Sequence, residues 1–63
     1  MRINGQIHDL EPLSVVELLA LRQFPSRGIA VAVNGEIVRR GEWDSLVVGV
    51  EDEVEILTAA AGG

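Results

Sequence analysis

Apolar residues along this chain switch between a period of two and a helical period, and the switches mark its elements. In "MRINGQIH", Ile3 and Ile7 lie on either side of Asn4-Gly5. Asn-Gly is a strong two-residue hairpin signal because both central residues of the turn take positive φ. The pattern predicts strands over 1–4 and 6–10. "LSVVELLALRQF" then reads as a helix. Ser14 can cap it, Glu17 completes a capping box three residues later, and Leu13 and Leu18 fall at the positions of a hydrophobic staple. Val15, Leu18, Leu19 and Phe24 share an apolar stripe, with Glu17 and Arg22 facing outward. Pro25 is expected to stop the helix, followed by a loop over "PSRG". In "IAVAVNGEIVRR", Ile29, Val31 and Val33 point one way and Ala30 and Ala32 the other. A second hairpin signal, Asn34-Gly35, leads into a strand over 36–39. A short helical turn is expected in "GEWDSL", around Trp43. The last strand places Val54, Ile56 and Thr58 on one face and Glu53, Glu55 and Leu57 on the other.

The predicted order is β-β-α-β-β-(turn)-β. One helix on one face of a small mixed sheet is the economical way to bury a single apolar stripe. That makes the expected class α+β. By analogy with ubiquitin-like folds, the last strand should pair near the middle of the sheet, beside the first.

Composition narrows the chemistry. A chain of 63 residues is one domain at most, with a thin core and little room for a walled pocket. The net charge is −5 and the basic residues, all arginines, form no dense patch. Neither nucleic acid nor an anionic membrane is an expected partner; a basic groove on another protein suits this surface better. There is no cysteine to serve as nucleophile, metal ligand or staple. Met1 leads into an alternating segment rather than a signal peptide, no apolar run reaches the length of a membrane span, and the cytoplasm is the expected compartment.

No internal catalytic constellation emerges. His8 is the only histidine and reads as a surface or edge residue, with no second His or Cys to complete a metal set. Catalytic and metal-binding residues are therefore expected to be none. Ser14 is better used as a cap than as a nucleophile. "NGEIVRRG" matches neither a phosphate-binding loop nor a dinucleotide fingerprint. Trp43 reads as a cap over the edge of the core, and Arg39 and Arg40 as solvated. The acidic run Glu51, Asp52, Glu53, Glu55 reads as a solvated turn and strand face, or as an electrostatic handle for a basic groove.

The remaining candidate is the end of the chain, "LTAAAGG". Residues 1–58 are expected to form the domain and 59–63 a flexible tail. Fully extended, the tail from Ala59 to Gly63 would reach about 17 Å, with side chains no larger than a methyl group. Such a segment can thread a channel too narrow for other side chains. The carboxylate of Gly63 is ionised at neutral pH and becomes electrophilic only when an oxygen is converted into a leaving group, as in an acyl adenylate. Gly62 and Ala61 would be read by the channel. Leu57, Ala59, Ala30 and Ala32 would form a flat docking patch on the open sheet face.

In "AVAVNGEIVRRGEW" (Asn34, Ile37, Val38, Arg40 and Trp43), in "DEVEIL" at 52–57 and in the final Gly62-Gly63, the chain resembles the ThiS family of sulfur carriers in thiamine biosynthesis. The resemblance covers the whole chain and implies a ubiquitin-like β-grasp fold. It departs from the family at Glu51, where members often have Gly, and at Ala59–Ala61, where larger apolar residues are common. The family's chemistry implies that an E1-like enzyme uses Mg-ATP to adenylate Gly63. Sulfur drawn from cysteine through a desulfurase persulfide then displaces AMP, and thiazole synthase consumes the resulting thiocarboxylate. The carrier itself is implied to hold no stable cofactor and to be acted on rather than to act as an enzyme. Carriers serving molybdopterin, cysteine or tRNA thiolation share the same tail chemistry. Ubiquitin-like conjugation and a plain interaction module are the readings from other classes.

Overall fold

The computed structural model describes residues 1–25 and 27–58. Among them the elements run β1 (Arg2–Ile3), β2 (Gln6–Ile7), β3 (Leu13–Ser14), α1 (Val15–Leu21), β4 (Ile29–Val33), β5 (Glu36–Val38), a 3-10 turn (Arg40–Glu42), β6 (Val47–Val48) and β7 (Glu53–Thr58). The main sheet has the order β2-β1-β7-β4-β5. β7 lies in its centre, parallel to β1 and antiparallel to β4, as the fold analogy requires. This is the ubiquitin-like β-grasp arrangement.

Both hairpins turn where Asn-Gly predicts. Asn4 and Gly5 have φ of 50° and 83°, and Asn34 and Gly35 have φ of 52° and 86°. A type I′ turn, with positive φ at both central residues, matches the right-handed twist of the strands it joins. The strands themselves are shorter than expected: Arg2–Ile3 and Gln6–Ile7 in place of 1–4 and 6–10, and Glu36–Val38 in place of 36–39.

The capping box is present in both directions. The Glu17 N–H donates to Ser14 Oγ (3.1 Å), and the Ser14 N–H donates to Glu17 Oε1 (2.9 Å). The Val15 N–H donates to the Leu46 carbonyl (3.1 Å) and the Val16 N–H to the Trp43 carbonyl (2.9 Å). The first-turn donors that a helix cannot satisfy internally are thus met by one side chain and by the 43–46 loop. The helix ends earlier than Pro25 implies. Gln23 is left-handed (φ 61°). The Gln23 N–H donates to the Ala20 carbonyl (3.1 Å) and the Phe24 N–H to the Leu19 carbonyl (2.9 Å), which closes the helix as a Schellman motif before the proline is reached.

The core lies between α1 and the main sheet. It gathers Val15, Leu18 and Leu19 from the helix, Ile3, Val31, Val38, Val54 and Ile56 from the sheet, and Met1, Val48 and Trp43 from the loops and β6. Trp43 is a core residue rather than a cap over its edge. It is buried, and its Nε1–H donates to the Val38 carbonyl (3.1 Å). Arg40 stacks over the ring at 5.1 Å, so it is not simply solvated. The short sheet β3-β6, antiparallel with Leu13 opposite Val48 and Ser14 opposite Val47, is absent from the periodicity reading. It ties the helix N-terminus to the segment after Trp43.

Candidate functional site: the end of the central strand

β7 ends at Thr58, so whatever holds β7 fixes the position of Leu57 and Thr58 at its end. β4 holds one edge along its length, from Val33 opposite Val54 to Ile29 opposite Thr58. The other edge meets β1 only at Glu53 and Val54. Past that point the Asn4 side chain takes over. Its Nδ2 donates to the Ile56 carbonyl (3.1 Å), and the Ile56 N–H donates to Asn4 Oδ1 (2.7 Å). Asn34 does the matching work at the start of the strand. Its Oδ1 accepts from the Glu53 N–H (2.9 Å), and its Nδ2 donates to Asp52 Oδ1 (3.0 Å). The two turn asparagines therefore clasp β7 near both ends. Sequence reasoning finds them as turn formers and misses this second role. The only signal for it is the choice of Asn, which carries both a donor and an acceptor, where Gly or Asp would also form the turn.

Asp52 is more than one member of a solvated acidic run. Its Oδ2 accepts from the Gly49 N–H (2.7 Å), and Oδ1 accepts from Asn34. These hydrogen bonds, the one from Gly49 foremost, hold its carboxyl below the ordinary value of 3.8. Glu51, Glu53 and Glu55 are exposed, as expected for a wet face.

The open face of the sheet bears three of the four expected patch residues, Leu57, Ala30 and Ala32. Leu57 is 64% exposed and stands opposite Ala30, which is also exposed. Together with Gly28, Ile29 and Thr58 they line a shallow recess at the exit of β7. Ala32 is half-buried between Glu55 and Ile37. Ile37, 71% exposed, extends the apolar strip toward the sheet edge, and sequence reasoning leaves it out. The two-residue Asn34-Gly35 turn pairs Ile37 with Ala32 across the hairpin and so sets both side chains on one face. Ala59, Ala61, Gly62 and Gly63 lie outside the described residues.

His8 follows the edge strand β2, in keeping with the edge position read from the sequence, but it is not a fully exposed side chain. It is half-buried, and its Nε2 is enclosed without a hydrogen-bond partner. Its backbone N–H donates to the Met1 carbonyl (2.8 Å). Among the described residues, no three His, Asp or Glu side chains converge to hold a metal, and no helix is long and apolar enough to cross a membrane.

The family model of the ThiS family matches residues 1–63. The chain belongs to the ThiS family. A crystal structure of the thiamine biosynthesis protein ThiS from Geobacter metallireducens is 35% identical and superposes with a TM-score of 0.77, over 98% of this chain and 96% of that one. A solution NMR structure of a thiamine biosynthesis protein from the same organism is 32% identical with a TM-score of 0.80, over 98% and 85%. An uncharacterized protein of Porphyra purpurea, ycf40, is 34% identical over 64 residues, covering 100% of this chain and 90% of its own length.

Proposed function

We propose that this protein is a sulfur carrier in thiamine biosynthesis whose working atom is the carbonyl carbon of Gly63. The observation that carries the reading is that the ThiS-family match runs through residue 63 and so includes Gly62-Gly63. Supporting it is the likeness to thiamine biosynthesis proteins in sequence and fold.

In this reading a carboxylate oxygen of Gly63 attacks the α-phosphorus of Mg-ATP on an E1-like enzyme. The α–β phosphoanhydride bond breaks, pyrophosphate leaves, and an acyl adenylate forms. A persulfide sulfur, supplied through a cysteine desulfurase or another donor, attacks the acyl carbon and expels AMP. A thiol then cleaves the S–S bond, leaving as the disulfide, and the carrier keeps a thiocarboxylate. Thiazole synthase takes that sulfur. The carrier contributes the electrophilic carbon, a slim tail through Ala61 and Gly62, and the docking strip of Leu57, Ala30, Ala32 and Ala59. Catalytic side chains and the nucleotide site belong to the partners.

ATP–pyrophosphate exchange with the E1-like enzyme of the same organism tests this. Wild-type protein should support exchange. Gly62→Val, which adds bulk in the channel, and one alanine appended after Gly63, which moves the carboxylate past the α-phosphate, should each abolish it, since small misplacement of reacting atoms alone costs about 100-fold. Wild-type exchange by both variants would replace this reading with that of a plain interaction module.

A further inference from the structure

β1 is too short to accompany β7 to its end. The Arg2 N–H donates to the Asp52 carbonyl (3.0 Å) and the Asn4 N–H to the Val54 carbonyl (2.9 Å), and then the chain turns away at Asn4-Gly5. Residues 52, 54 and 56 direct their backbone groups toward β1, and by strand alternation Thr58 does the same. The next pair on that edge, the N–H and C=O of Ile56, would be left open by the turn. The Asn4 carboxamide meets both, with a donor at 3.1 Å and an acceptor at 2.7 Å. It stands in for the strand residue that β1 lacks.

We propose that Asn4 is a positioning residue for the tail: by holding the N–H and C=O of Ile56 it keeps the end of β7, with Leu57 and Thr58, in the orientation a partner enzyme engages. This rests on the carrier reading above. Without the clamp, the β1-side edge of β7 is unheld beyond Val54, and that segment must be ordered anew at each docking. Ordering before binding lowers the cost of association and leaves the chemical step alone. The clamp should therefore act on KM for activation rather than on kcat.

The test compares wild type with Asn4→Gly, which keeps the positive-φ turn and removes the carboxamide, and with Asn4→Asp, which keeps an acceptor for the Ile56 N–H and loses the donor. Amide hydrogen exchange should speed up at least about tenfold at Ile56 in Asn4→Gly, with the amides of α1 unchanged. In the pyrophosphate-exchange assay, KM for the carrier should rise about tenfold with kcat within about twofold, and Asn4→Asp should move the same way by less. A turn-forming role alone would leave KM untouched, because Gly-Gly also makes this turn. Unchanged Ile56 exchange, or unchanged KM with an active wild type, overturns the proposal alone. A wild type that supports no exchange overturns the carrier reading, and this proposal with it.

Discussion

Replacing Leu57 by Glu should separate docking from folding. Leu57 is 64% exposed, so folding covers only about a third of it. Full burial of a leucine side chain is worth about 1.5–3 kcal/mol, and a third of that is about 0.5–1 kcal/mol. A shift in stability of that size moves Tm by about 2–8 °C in a domain this small, which leaves the fold intact at assay temperature. The docking cost is larger. An apolar anchor buried centrally in an interface costs about 2 kcal/mol or more when truncated, which reads as roughly a 30-fold loss of affinity. The added carboxylate would also need a partner or remain desolvated and unpaired. Val47→Glu is the matched control: Val47 is 59% exposed and lies in β6, in the small sheet away from the recess beside β7. Steady-state activation by the E1-like enzyme should show KM for Leu57→Glu raised about 30-fold or more and Val47→Glu within about twofold of wild type. Equal effects of the two substitutions, or wild-type turnover by Leu57→Glu, would remove the strip from the docking surface.

Ser14→Ala should cost about 1 kcal/mol by leaving the Glu17 N–H without its acceptor, read as a fall in Tm, while the sulfur-transfer rate of the folded protein stays at the wild-type value. Asp52 adds a pH dependence. Its folded-state pKa lies below the ordinary 3.8, so its contribution to stability is present above about pH 4 and fades as pH falls through the folded value. Urea titrations from pH 7 downward should show a loss of stability in that acid range that Asp52→Asn lacks, and parallel profiles for the two proteins would contradict the assignment.

Much of the architecture is legible in the chain because strong local signals agree with the global fold. Both Asn-Gly turns, the reciprocal cap at Ser14 and Glu17, and the alternation of Val54 and Ile56 against Glu53 and Glu55 each specify an element without help from distant residues. The illegible parts depend on contacts far apart in sequence. The β3-β6 pair is a two-residue bridge with no periodicity of its own. The helix stops at a left-handed Gln23, where the Ala20 carbonyl accepts from Gln23 and the Leu19 carbonyl from Phe24, a closure that composition does not announce. Trp43 is drawn into the core by the Val38 carbonyl. The tail and the Leu57 strip could be singled out as candidates, since small residues and an apolar outward position are local properties. The Asn4 clamp could not, because it joins residues 52 positions apart.

The central claim is that the acyl group of Gly63 carries sulfur. Top-down mass spectrometry of the protein, isolated from cells in which the E1-like enzyme and sulfur donor are active, tests it most directly. The account predicts a population in which one oxygen is replaced by sulfur, with fragment ions placing the change on Gly63 and alkylation trapping it as a thioester. That population should disappear in Gly62→Val. An unmodified C-terminus under those conditions would contradict the account, and so would isopeptide-linked adducts of this chain on other proteins in place of the sulfur-bearing form.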